Sequence, residues 1–176
     1  MRTLLLQTLV LAFLSVNAYA QSKISGDQPI EIVSDTLEVL QNDNKAIFRG
    51  NVIATQGTTN MRSDVMTVYY RNEGGDDADG AMGKGIYRID ADGGVIYTTP
   101  TETAKGDHSI YDVDNETLDL TGNVLLTRGQ NVLKGTKVVY NLKTGRSVLT
   151  SGGGGVTSGG RVRGLFVPGS EQGAGQ

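Results

Sequence analysis

Between Ile30 and Tyr140, apolar and polar residues alternate with a period of two, and the alternation breaks at short intervals on glycine, asparagine and aspartate. Successive side chains of a β-strand project to opposite faces, so this pattern predicts half-buried strands. Strands are expected at 30–34, 37–41, 45–49, 51–56, 61–63, 65–71, 85–90, 95–99, 108–113, 117–120, 123–128, 131–133, 137–141 and 147–149, with a last one at 161–167 stopped by Pro168. Tight hairpins fit Asp43 and Asn44 after Asn42, and Asn115 and Glu116 after Asp114. Nothing has the periodicity of a long helix.

The pattern is duplicated. Residues 34–68 align without a gap on residues 106–140, seventy-two positions later, with Asp35 on Asp107, Gly50 on Gly122, Asn51 on Asn123, Val52 on Val124, Thr55 on Thr127 and Gly57 on Gly129. One face repeats as apolar: Val39 with Tyr111, Ala46 with Leu118, Phe48 with Leu120, Ala54 with Leu126, Met61 with Leu133, Met66 with Val138 and Val68 with Tyr140. The other drifts, as in Leu40 with Asp112, Ile47 with Asp119, Val65 with Lys137 and Tyr69 with Asn141; Ile53 with Leu125 is the exception. A one-residue slip would invert every face, so both copies answer to one hydrophobic demand on one side of a sheet. A partial third copy places Gly93, Gly94 and Val95 on Gly50, Asn51 and Val52. Many strands without intervening helices predict an all-β antiparallel sandwich, jellyroll or solenoid-like stack.

Ahead of the strands lies a secretory leader: Arg2, an apolar run from Leu9 to Leu14, and Ala18, Tyr19, Ala20, a small-any-small pattern that predicts cleavage after Ala20. Gln7, Thr8, Ser15 and Asn17 interrupt the run and argue against an uncleaved anchor. The expected organisation is a signal peptide at 1–20, one β-domain at 21–168 and a disordered tail at 169–176. Two internal stretches are too polar or too glycine-rich to bury: 72–84, read as a mobile acidic loop, and 151–160, read as a flexible hairpin tip or linker.

Charge and candidate chemistry narrow the function. Without Arg2 the chain carries 15 basic and 19 acidic residues, which argues against a nucleic-acid binder. It has no cysteine and a single histidine, excluding disulfides, thiolate metal sites and histidine-rich ones. Asp107, His108 and Ser109 are adjacent, but on a strand His108 points away from its neighbours, so no triad is expected. Asp77, Ala78, Asp79, Gly80 recur as Asp90, Ala91, Asp92, Gly93; both lack the acids an EF-hand loop needs at its first and twelfth positions, so hairpin turns are the better reading, with a weak ion site at the acidic loop left open. Gly80, Gly83, Lys84 and Gly85 lack the ending and the helix of a phosphate loop. Paired carboxylates of glycoside hydrolysis have no sequence signature, and no acid falls on the repeated apolar face.

The blocks Gln28 to Asp35, Phe48 to Gly57, Thr99-Pro100, Ala104 to Asp107, Tyr111-Asp112 and Leu120 to Val124 together resemble the OstA-like family of LptA-type lipopolysaccharide-transport proteins, over about Asp27 to Pro168. The resemblance implies a periplasmic protein folded as an elongated, slightly twisted β-jellyroll open along one side, whose interior receives lipopolysaccharide acyl chains. It implies no enzyme activity and no cofactor. It also implies head-to-tail stacking between an LptC-like inner-membrane protein and the LptD-like outer-membrane translocon. The acidic loop at 72–80 and the glycine run at 152–155 depart from the family's pattern and bear on local loop geometry.

On this reading the groove is lined by Ile30, Ile32, Val39, Phe48, Val52, Ala54, Met61, Met66, Val68, Ile96, Tyr111, Val113, Leu118, Leu120, Val124, Leu126, Leu133, Val138 and Tyr140. Small residues such as Ala46, Ala54 and Ser109 would leave room. The partner edges are the strand of Ile30 and Ile32 at one end and that of Val162, Leu165 and Phe166 at the other, where unpaired backbone groups invite another chain. The same apolar set equally fits the closed core of a structural interaction module, and a membrane-anchored LptC-like relative shares the domain. An exported hydrolase is the weakest alternative, since nucleophile and base are missing.

Overall fold

The computed structural model describes residues 28–71, 85–152 and 160–168. The leader, the acidic loop, most of the glycine-serine stretch and the tail lie outside the described residues. Ten strands follow in order: β1 (Ile30–Val33), β2 (Thr36–Leu40), β3 (Lys45–Gln56), β4 (Thr59–Tyr70), β5 (Ile86–Thr98), β6 (Thr103–Asp112), β7 (Thr117–Arg128), β8 (Asn131–Asn141), β9 (Arg146–Thr150) and β10 (Arg163–Leu165). A 3-10 turn at Gln41–Asp43 ends on Asn44, at φ 48°, and turns β2 back into β3.

All pairings are antiparallel, in the order β1-β3-β4-β5-β6-β7-β8-β10. The two ends are built alike. β1 pairs with residues 53–56 of β3 while β2 takes 45–49. β10 pairs with residues 132–134 of β8 while β9 takes 137–141.

The expected short strands are halves of long ones. The segments 45–49 and 51–56 form a single β3, and the same fusion makes β4, β5, β7 and β8. The cause is that Gly-Asn and Gly-Gly act here as bulges within a ladder instead of as hairpin turns. Gly50, Asn51, Gly93, Gly94 and Gly122 have φ of 80°, 47°, 81°, 55° and 102°, and the pairing register shifts at each pair. Each leading glycine lies under an aspartate from a neighbouring segment: a Cβ on Gly50, Gly93 or Gly122 would fall on the carboxylate of Asp35, Asp64 or Asp107. Asn51 donates to Asp35 at 2.9 Å, and both the backbone and side-chain nitrogens of Asn123 donate to Asp107 at 3.1 Å. The seventy-two-residue repeat thus encodes one aspartate-glycine-asparagine joint twice, and the partial third copy is the same joint on β5.

The joints form a row across the sheet, and each long strand bends there into two halves. Halves 45–49, 65–70, 86–92, 108–112, 117–121 and 137–141 make a first layer; 52–56, 59–63, 95–98, 103–106, 124–128 and 131–134 make a second. The layers face each other. Ala54, Met61 and Tyr97 share a cavity with Ile89, Tyr111 and Leu118, and the rings of Tyr97 and Tyr140 lie 5.6 Å apart. Their inner faces make one continuous apolar core.

Candidate functional site

Among the described residues, the repeated apolar face converges in the interior. Of the expected lining, Val52, Ala54, Met61, Met66, Val68, Tyr111, Leu118, Leu120, Val124, Leu126, Val138 and Tyr140 are buried in the core. Ile30, Ile32, Phe48, Val113 and Leu133 are half-buried and pack against it. Two positions differ. Val39 pairs with buried Ala46, yet it is 40% exposed because no described residue covers this edge strand. Ile96 sits between Arg62 and Lys105 on the outer face, and its neighbours Val95 and Tyr97 point inward.

Ile89, Ala91, Val95, Tyr97 and Ala104 complete the core and were not anticipated. The signal for Val95 and Tyr97 was available. On β3 the inward parity runs through the bulge from Ala46 and Phe48 to Val52 and Ala54, and the match of Gly93-Gly94-Val95 to Gly50-Asn51-Val52 carries it to β5. On β4 and β6 the parity switches at the single residue opposite the bulge, Asp64 or Asp107.

Between the layers the protein's own side chains fill the space. A cavity of about 40 Å³ lies among Ile30, Met61, Tyr97, Tyr111 and Leu142, and one of about 110 Å³ lies beneath Ile30 and Ile32 against Phe48, Val68 and Ile86. Ligand pockets typically measure about 300–1,000 Å³, and neither of these two cavities reaches that size. Ser109, buried between Ala91 and Leu120, leaves its hydroxyl without a hydrogen-bond partner among the described residues.

The open margin, opposite the row of joints, is held by polar contacts. The Tyr140 hydroxyl on β8 donates to Glu102 Oε1 at 2.5 Å, and Arg128 Nη2 lies 3.0 Å from Glu102 Oε2. Glu102 leaves only 8% of its side-chain surface exposed in the β5–β6 turn, so this bond ties the first layer to the second. Burial, reinforced by the Glu102 carboxylate, raises the Tyr140 pKa far above the ordinary phenol range. Burial also pushes Tyr97 up to about 12 and raises Tyr111, whose hydrogen bond to Gln56 opposes the shift.

The other candidate chemistry disperses. His108 Nδ1 lies 2.6 Å from Asp92 on the outer face, Ser109 points inward, and Asp107 is engaged by Asn123, so no triad forms. Asp90 to Gly93 belong to β5 and its bulge, correcting the expected hairpin turn, while Asp77 to Gly80 lie outside the described residues. No cluster of metal-ligating side chains occurs among the described residues.

Among the described residues, an antiparallel sheet folded over an apolar interior, with unclosed strand edges at both ends, is an open β-jellyroll. The chain belongs to the LptA/(LptD N-terminal domain) LPS transport protein family, whose model matches residues 31–146. It is 38% identical over 133 residues to an uncharacterized protein of Rhizobium meliloti, covering 75% of this chain and 70% of that one. It is 30% identical over 170 residues to the lipopolysaccharide export system protein LptA of Haemophilus influenzae, covering 95% and 91%. To the protein of that name in Escherichia coli K12 it is 32% identical over 120 residues, or 66% of this chain, and spans 62% of that protein's length. In three dimensions it matches LptH, the LptA homologous periplasmic component of the lipopolysaccharide transport device of Pseudomonas aeruginosa, with a TM-score of 0.66 at 21% identity over 82% of this chain and 99% of that one. This match establishes the shared fold.

Proposed function

We propose that the protein is a non-enzymatic, periplasmic lipopolysaccharide carrier, exported by cleavage after Ala20, that shields acyl chains between its layers while bridging inner- and outer-membrane machinery. The observation that carries this reading is the continuous inner face, which runs from β1 to β9 as the strands stack. Each acyl methylene exposed to water costs about 0.8 kcal/mol, so a chain of roughly a dozen carries on the order of 10 kcal/mol, and an aqueous crossing needs a continuous apolar lining. The groove residues named from sequence, apart from Val39, are that lining, with Val95 and Tyr97 taking the place of Ile96. Because the resting interior is filled, loading separates the layers about the row of joints.

The unpaired edge at β1 and β2 and the one at β9 and β10 support head-to-tail contacts with a second copy, an LptC-like protein and an LptD-like translocon. Around the C-terminal edge Val162, Leu165 and Phe166 are exposed, the last two to 64% and 68%. Photo-crosslinkers at Tyr111 and at the adjacent, outward Asp112 test the lipid path. Lipopolysaccharide adducts at Tyr111 alone support it; equal labelling at Asp112, or none at Tyr111, sinks it.

A further inference from the structure

The outer face of the second layer carries a pattern that an interior lipid path does not use. Read across the pairing register from β4, its outward residues are Arg62, Ile96, Lys105, Leu125, Lys134 and Arg163. Cations and aliphatic side chains alternate until the last pair, where Lys134 and Arg163 stand directly opposite each other. Like charges in that position destabilise a sheet. Among the described residues none of these four cations takes part in an ion pair. On the outer face of the first layer, by contrast, Arg88 lies 2.6 Å from Asp90 and Lys137 lies 2.6 Å from Asp119.

The repeat sharpens the contrast. Two outward pairs that keep their character, Ile53 with Leu125 and Arg62 with Lys134, fall in this row when it is extended to Ile53, opposite Arg62 on β3, while Asp64 beside Arg62 becomes Thr136 beside Lys134. Asp107, next to Lys105, is held by Asn123. The charge excess therefore peaks at the β8–β10 end. There, a hollow of about 400 Å³ is lined by Val132, Lys134, Arg163, Gly164 and Leu165, with no carboxylate.

We propose that a single, unstacked copy docks by this face on a bilayer leaflet containing anionic phospholipid, a state distinct from the end-to-end bridge, with Lys134 and Arg163 gripping lipid phosphate at the hollow. Cations interleaved with the half-buried Ile96 and Leu125 and followed by the exposed Leu165 suit a headgroup layer: lysine and arginine stems lie along the apolar boundary while their charges meet phosphates, and the aliphatic side chains sink shallowly. A small soluble anion would use the charges and leave Leu125 and Leu165 in water. The contact is separate from the interior path and stands or falls without it.

Flotation of the full chain with vesicles of phosphatidylglycerol in phosphatidylcholine, against phosphatidylcholine alone, tests the assignment. Binding is expected for the anionic vesicles, weakening with salt. The double variant Lys134→Gln, Arg163→Gln loses affinity about 30-fold, from roughly 1 kcal/mol per cation near the surface. Lys137→Gln on the other layer changes little, and unaltered melting of each variant confirms folding. Equal binding to both vesicle types, or equal binding by the double variant, overturns the proposal. Displacement from the vesicles by millimolar inorganic phosphate at constant ionic strength also overturns it, because the hollow would then be a free-phosphate site. Interior crosslinking at Tyr111 is unaffected by the double substitution, so the two readings fail independently.

Discussion

The Tyr140 hydroxyl and the Glu102 carboxylate meet at 2.5 Å across the open margin, a bond between strand β8 of one layer and the β5–β6 turn of the other. A hydrogen bond to a charged acceptor contributes about 1.5–3 kcal/mol. Tyr140→Phe is expected to lower the unfolding free energy by roughly that amount in urea titrations. Arg128 reaches the same carboxylate from an exposed position, and Arg128→Ala costs about 1 kcal/mol or less. If loading separates the layers, Tyr140→Phe also speeds uptake of a fluorescent acyl probe, whereas Arg128→Ala scarcely alters it.

The buried phenols predict how stability ends at high pH. Tyr97 is raised to about 12 and Tyr140 further, chiefly by burial, whereas an unfolded tyrosine ionises near 10. Above that value the unfolded chain releases protons that the native chain keeps. Their contribution is therefore complete below about pH 10 and is lost as pH rises toward the folded values, by at most about 1.4 kcal/mol per pH unit for each tyrosine. Urea midpoints measured from pH 9 to 11.5 should fall beyond 10, and the fall should be shallower in Tyr97→Phe.

The joints predict a specific non-additivity. Gly122 combines a φ of 102° with a site where a Cβ would meet the Asp107 carboxylate. Gly122→Ala is expected to cost about 2–4 kcal/mol from backbone strain and the clash together. Adding Asp107→Gly removes the clash, so the double variant is more stable than the sum of the single costs, by on the order of 1 kcal/mol. Simple additivity in this cycle would show that aspartate and glycine do not act as a unit.

The corrected face of β5 is checked by truncation. Tyr97 is 4% exposed and packs on Tyr140, so Tyr97→Ala costs about 3–5 kcal/mol. Outward Ile96→Ala costs about 1 kcal/mol or less. The reverse order of thermal midpoints would restore the face expected from sequence.

Much of this fold is legible in the chain because one face has a single demand placed on it. Phe48, Val52 and Ala54 on β3, and Leu118, Leu120, Val124 and Leu126 on β7, declare their direction through two matched copies. What was not legible is the meaning of glycine. Gly50-Asn51 and Gly122-Asn123 have the composition of a hairpin turn, and only the long-range partner, an aspartate fifteen residues earlier, makes them bulges inside a continuous ladder. Misreading Gly93-Gly94 cut β5 in two and put Ile96 on the wrong face. Val39 failed differently: its alternation is correct, but burial depends on whether a neighbour covers an edge strand.

The row of joints also sets a rule of growth. The bends on β3, β5 and β7 are each made locally, by one aspartate and one glycine, so the cross-section does not depend on how many strands stand side by side. Adding a hairpin lengthens the molecule by about 9–10 Å, at nearly 5 Å per strand, and leaves its width unchanged. A longer chain and a stack of shorter ones are then the same object in profile, and distance can be spanned by counting strands, with no new architecture required.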